Sequence, residues 1–264
     1  MTARRPVILL GAQRSGTTAL AHVLSAAFAA TGGLFTVNGK LPYVLHRWCN
    51  QADVAGRHLR ADEMIHALRR RPPYGDTAGA WLARVEQVLR NAAHEVAHGQ
   101  WSEALALRRA IVRDSYASAT RFGDKYNEYL LALDQLVETM PDAHLVVLFR
   151  EPAAVAESVL RWSGDRPWLP RDLPAAYDKW VAWHRPLLSH PLSRDPSRCT
   201  VVEYRSVCTG PDLRRLAETI GAELLPFAAL LRASGSRSVG DTVPDRVRQT
   251  YDALMDLRAT SSRR

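Results

Sequence analysis

The 264-residue chain is 47% apolar and 23% charged with a formal net charge of +8, a globular balance that suits one domain over residues 1–264 and argues against a disordered or fibrous chain. No run of about eighteen apolar residues occurs, so no apolar membrane-spanning helix is expected, and the start, two arginines and then Val7–Leu10, is too short for a secretory leader; a cytoplasmic protein with no membrane partner follows. Cys49, Cys199 and Cys208 are scattered and odd in number, and the nine histidines form no ligand cluster, so reduced thiols and no metal are expected. The arginines are dispersed without interleaved aromatics, which points away from nucleic acid and toward a solvated basic surface or a small polyanionic ligand.

In chain order, Val7–Leu10 is a short apolar run closed by Gly11 and reads as a buried strand. Leu20, Val23, Leu24, Ala27 and Phe28 recur at helical spacing, and Gly32-Gly33 ends that helix. Leu34–Val37 predicts a second strand. Trp81, Val85, Val88, Leu89, Ala92 and Val96 form one helical stripe; Leu130, Leu133, Leu136, Val137 and Met140 form another. His144–Phe149 is the clearest buried strand, with Arg150 at its end and Pro152 at a first helical position. Leu173 to Leu188 predicts a long amphipathic helix, Thr200–Val202 a further strand, and Leu213 to Ile220 a helix closed by Gly221. The ending, Thr260–Arg264, predicts a frayed tail. Strands alternating with helices predict a three-layer α/β/α fold around a central parallel sheet, with helices inserted in the middle of the chain.

The segment Gly11-Ala12-Gln13-Arg14-Ser15-Gly16-Thr17-Thr18 lies between a strand and a helix. There the free amides and dipole of a helix start favour an anion. Gly16 permits close approach of backbone to a phosphate. Ser15, Thr17 and Thr18 add hydroxyls, and Arg14 adds a permanent charge with a fork of donors. The glycine spacing resembles a Walker A loop and so a P-loop NTPase-like fold, but Thr17 stands where that motif needs Lys. The best later strand ends in Arg150, where a nucleotide triphosphatase needs a carboxylate for magnesium. A 5′-phosphate ligand without a β,γ-phosphate chain fits better than ATP.

Arg14-Ser15-Gly16-Thr17-Thr18 resembles the 5′-phosphosulfate loop, [K/R]-S-G-T-T, of sulfotransferases that use 3′-phosphoadenosine 5′-phosphosulfate. Arg150, followed eight residues later by Ser158, matches that family's 3′-phosphate grip in order and spacing. Gly123-Asp124-Lys125 resembles its G-[DE]-K-[TS]-P segment, with Tyr126-Asn127 in place of Thr-Pro. Val202-Glu203-Tyr204-Arg205 resembles its Y-E-D-L segment, which implies adenine contact by Tyr204. Arg237, in the region from Arg232, is the candidate for a second 3′-phosphate contact. The resemblance implies sulfuryl transfer to a hydroxyl or amine of a small-molecule acceptor, leaving adenosine 3′,5′-bisphosphate.

Such a transfer needs in-line positioning and charge stabilisation, roles that fall to Arg14 on the leaving side and Lys125 near the sulfuryl oxygens. The general base is less plain. Many relatives place a Glu about twenty residues past the loop, whereas here Thr36-Val37-Asn38-Gly39-Lys40 holds none and Asp53 is the first acid. Asp124 and His46 are the leading candidates and Glu128 a weaker one. Tyr43, Trp48, Tyr74, Trp162 and Trp168 are candidates to line an acceptor pocket, while Trp81, Trp180 and Trp183 follow core stripes. Two rival readings remain at this stage: a P-loop kinase or nucleotidase, and a non-catalytic binder of the bisphosphate or its sulfated form.

Overall fold

The structure, a computed structural model, describes residues 5–75, 77–162, 169–232 and 243–261. The chain opens with strand β1 (Val7–Leu10), helix α1 (Thr17–Ala29) and strand β2 (Leu34–Val37), as the apolar runs predict. Five helices follow: α2 (Leu41–Trp48), α3 (Gln51–Ala55), α4 (Ala61–Arg70), α5 (Ala78–Ala97) and α6 (Ala104–Ser115). The chain then returns to the sheet as β3 (Phe122–Lys125). After α7 (Leu133–Thr139) come β4 (His144–Phe149), α8 (Pro152–Leu160), α9 (Leu173–Ser189) and β5 (Cys199–Glu203). Helices α10 (Tyr204–Thr209), α11 (Pro211–Ile220) and α12 (Asp245–Ser261) complete the described chain.

The five strands pair in the order β2-β3-β1-β4-β5, every pair parallel. Alternation along the strands divides the core. Ile8, Leu10, Leu145, Val147, Phe149 and Val201 face a large cluster with the inserted helices and α7, α8, α9 and α12. Val7, Leu9, Val146, Leu148 and Val202 face a smaller cluster with Leu20, Leu24 and Phe28 of α1 and Leu213 and Leu216 of α11. Each fully buried Leu or Phe contributes about 1.5–3 kcal/mol through burial. The result is the expected three-layer α/β/α arrangement with its helical insertion between β2 and β3.

Three local expectations are revised. The stripe from Leu130 to Met140 is not one helix: a 3₁₀ turn over Asn127–Leu131 precedes α7, because Asn127 and Tyr129 turn inward to bond Gly11 and Asp124. The tail does not begin at Thr260: α12 runs through Ser261, whose Oγ accepts from the Val201 amide at 3.3 Å. Phe122–Lys125, read only as a motif, is a full sheet strand between β1 and β2. No helix among the described residues is long and apolar enough to cross a membrane.

Candidate active site

All five parallel strands point their carboxyl ends at one cleft of about 520 Å³, the crevice where open parallel sheets bind ligands. Each strand delivers a residue to it: Arg14 after β1, Asn38 after β2, Lys125 from β3, Arg150 after β4 and Tyr204 after β5. Three cations and no carboxylate line it among the described residues.

The β1–α1 loop is shaped to leave donors free. Arg14 and Gly16 both take positive φ, 68° and 92°, so the chain curls and successive amides face inward. Gly16 caps α1 with no side-chain hydrogen bond, which leaves the first-turn amides for a ligand. A Cβ on Gly16 would lie 2.2 Å from the Tyr204 ring, so only glycine lets that ring pack on the loop. Ser15 is fully buried and its Oγ has no hydrogen-bond partner among the described residues. A buried hydroxyl without a partner costs roughly 1–3 kcal/mol, a cost that a bound anion would remove.

The second corner meets the first directly. Arg14 Nε donates to Ser158 Oγ at 3.0 Å, and Arg150 Nη1 donates to the Arg14 carbonyl at 3.4 Å. The reason lies in how α8 starts. Glu151 caps it by accepting from the Ala153 and Ala154 amides, which fixes Arg150 at the strand end and sets Ser158 in the following turns. Arg150 also lies 5.4 Å from the centre of the Tyr204 ring, and Tyr204 donates its hydroxyl hydrogen to the Arg232 carbonyl at 2.8 Å. Arg14, Gly16, Thr17, Thr18, Arg150, Ser158 and Tyr204 thus gather in one place, with Ser15 buried beneath them. Arg237 and Trp168 lie outside the described residues.

At the end of β3, neighbouring residues do different work. Lys125 is buried and donates Nζ to Asn127 Oδ1 at 2.8 Å, while Asn127 Nδ2 donates to the Gly11 carbonyl at 2.8 Å and to Thr17 Oγ1 at 3.2 Å. Asn127, noted in the sequence only as a departure, ties Lys125 to the anion loop. Burial lowers the Lys125 pKa, and the charges of Glu128 and Asp124 pull it back up.

Asp124 lines neither this cleft nor the cavity beside it. It is 2% exposed and accepts five hydrogen bonds, from Thr36 Oγ1, the amides of Gly39, Lys40 and Lys125, and the Tyr129 hydroxyl. Burial pushes its pKa up and these donors pull it down. With every partner donating, the ionised form is the one the pocket satisfies. Both oxygens are occupied in holding the Asn38–Lys40 turn, where Asn38 and Lys40 adopt φ of 70° and 53°, so the sequence expectation of a base at Asp124 does not fit this geometry. His46 fits no better. Its Nδ1 accepts from Arg108 Nη1 at 2.9 Å, and it lines neither cavity. Burial and the Arg108 charge lower its pKa.

Glu128 is placed differently. It too lines neither cavity, but it is half-buried and its charge raises the pKa of Lys40, Lys125 and Lys179. These are the only lysines among 35 Lys and Arg residues, and all three surround one carboxylate. Lys179 of α9 was not foreseen. Its Nζ donates to Gln13 Oε1 at 2.8 Å, and burial lowers its pKa to about 8. Its rarity as a lysine was the available signal.

Of the aromatic candidates, Tyr74 and Trp162 line the cleft, whereas Tyr43 and Trp48 line the adjoining cavity. Trp81, Trp180 and Trp183 are buried in the core, as their spacing predicts.

The profile of the sulfotransferase family matches residues 6–225. A search of curated proteins gave no significant relative. Among solved structures, the sulfotransferase domain of the Synechococcus PCC 7002 olefin synthase is similar at TM-score 0.54 and 18% identity, over 98% of this chain and 96% of that one. The sulfotransferase domain from the curacin biosynthetic pathway gives TM-score 0.48 and 13% identity, over 90% and 81%. Sulfotransferase STF1 from Mycobacterium tuberculosis H37Rv gives 0.47 and 16%, over 97% and 77%.

Proposed function

Because the chain belongs to the sulfotransferase family, we propose that it transfers a sulfuryl group from 3′-phosphoadenosine 5′-phosphosulfate to a hydroxyl or amine of a small-molecule acceptor. The observation that carries this reading is the meeting of Arg14 with Ser158 inside one cleft that Arg150 and Tyr204 also line. The unpartnered Ser15 hydroxyl and the Gly16 cradle suit a 5′-phosphate. The lining of cations and hydroxyls, without a carboxylate among the described residues, suits a doubly phosphorylated nucleoside better than magnesium ATP.

When bound, the donor supplies a sulfuryl group whose bond to the 5′-phosphate oxygen breaks as a bond to the acceptor oxygen or nitrogen forms, the electron pair remaining on the phosphate. Arg14 and the first-turn amides of α1 hold that phosphate and stabilise its growing charge. Arg150 and Ser158 hold the 3′-phosphate, and the Tyr204 ring packs on the base. Lys125, fixed by Asn127, orients the sulfuryl oxygens. Glu128 receives the acceptor proton: its charge reaches Lys125 of the cleft and Lys40 of the adjoining cavity, whereas both Asp124 oxygens and His46 Nδ1 are already engaged. Asp124 acts at one remove, by holding the turn that presents Asn38 and Lys40.

Incubation with sulfur-35-labelled donor and a panel of phenols, alcohols and amines tests the proposal. It predicts labelled product together with adenosine 3′,5′-bisphosphate. Tight bisphosphate binding with no transfer to any acceptor would favour the non-catalytic reading instead.

A further inference from the structure

Beside the donor cleft lies a second cavity of about 1070 Å³. The two meet along one seam, because three chain segments each line both. The turn after β2 gives Asn38 to the cleft and Lys40 to the cavity; the end of β3 gives Lys125 and then Tyr126; the loop after α4 gives Tyr74 and Arg71. Tyr43 and Tyr126 meet edge to face at 5.2 Å in the cavity wall, and Trp48 adds a third ring.

The charge of this cavity is not balanced from within. Six cations and two acids line it. Arg60 is paired with Asp53 at 3.1 Å and Arg90 with Asp62 at 3.7 Å. Lys40, Arg70 and Arg71 have no ion-pair partner among the described residues, and Lys40 feels the charge of both arginines as well as the opposing charges of Glu128 and Asp124. Lys40 is the telling member. It is 7% exposed and lines the cavity, and its side chain makes no hydrogen bond among the described residues. Its backbone is held at φ 53° by a hydrogen bond from its amide to Asp124 Oδ2. The carboxylates near Lys40 lie outside the cavity lining, so an anion inside it would add favourable charge to a buried cation, and Arg70 and Arg71 supply the forked donors that bind oxyanions.

We propose, resting on the donor reading above, that this cavity is the acceptor site and that it selects an acceptor with a negatively charged oxyanion group on an aromatic body, the oxyanion held by Lys40, Arg70 and Arg71. The rings of Tyr43, Trp48 and Tyr126 hold the body, and the nucleophilic hydroxyl or amine faces the seam at Lys125 and Glu128.

Calorimetric titration of the full chain, saturated with adenosine 3′,5′-bisphosphate, tests this with two probes of one size, 6-hydroxy-2-naphthoate and 6-hydroxy-2-naphthamide. A charge-assisted contact predicts about tenfold or greater preference for the carboxylate. Lys40→Met removes that preference, and so in larger part does Arg71→Gln, an exposed position where folding is not at issue. Bisphosphate affinity stays unchanged in both variants. Equal binding of the two probes, binding of neither, or a preference that survives both variants overturns the inference while leaving the donor reading intact. Failure of the wild-type chain to bind bisphosphate overturns the donor reading, and the acceptor assignment with it.

Discussion

Arg14 and Ser158, 144 positions apart in the chain, are joined by a 3.0 Å hydrogen bond from Nε to Oγ. The bond links the β1–α1 loop to α8, so one ligand can engage the loop and the strand-end arginine together. Ser158→Ala removes one neutral partner from this corner and is expected to weaken bisphosphate binding by about fivefold, in line with roughly 1 kcal/mol for such a bond. Isothermal titration checks it; an unchanged affinity would place the 3′-phosphate elsewhere.

Gly16 sets how closely Tyr204 can approach the loop. Gly16→Ala places a methyl 2.2 Å from the Tyr204 ring at φ 92°, which strains the backbone and displaces the ring. Bisphosphate binding is expected to fall by about 100-fold or more, whereas Tyr204→Phe, which keeps the ring and loses the hydroxyl bond to the Arg232 carbonyl, costs about fivefold.

Asp124 and Glu128 should separate cleanly. Glu128→Gln is expected to leave bisphosphate affinity and melting temperature close to wild type while turnover falls by about 100-fold or more, the scale of a lost general base. Asp124→Asn places an amide that also donates against a ring of donors, so it is expected to lower stability by about 1–3 kcal/mol, seen as a drop in melting temperature. If Asp124→Asn keeps full stability and loses only turnover, the roles assigned to the two carboxylates are reversed.

Lys179 gives ligand binding a pH dependence. Its pKa is lowered by burial to about 8 in the free protein, and an anion bound beside Gln13 stabilises the protonated form and raises it. Binding therefore takes up a proton wherever the free lysine has lost it. Bisphosphate affinity is expected to weaken as pH rises through about 8, at up to about tenfold per unit. Lys179→Met should flatten this region of the profile. A slope that persists in the variant would assign the dependence to another group, such as Lys125.

The layers of the fold and the two corners of the cleft were legible because their signals are local. Val7–Leu10 and His144–Phe149 are apolar runs between turn residues, and the anion loop and Arg150 follow them directly. Phe122–Lys125 carried no strand signal, since a glycine and two charged residues occupy most of it. Its place in the sheet depends on long-range partners: a Cβ on Gly123 would press the Val7 carbonyl at 2.4 Å, and Asp124 is buried only because five donors from β2, β3 and the turns around them surround it. For the same reason Asp124 reads as a leading candidate base in the sequence and Glu128 as a weaker one. Burial and partner geometry decide between such roles, and neither is written in residue type. The three lysines were visible in the sequence, but only the fold brings residues 40, 125 and 179 around one carboxylate.

The most direct test is titration of adenosine 3′,5′-bisphosphate, and separately of magnesium ATP, into the wild-type chain and Arg150→Ala. The account predicts that the wild type binds the bisphosphate in preference to ATP, and that Arg150→Ala loses about 100-fold, the scale of a charge-assisted bidentate contact removed. Wild-type affinity in Arg150→Ala, or a preference for magnesium ATP, would contradict it.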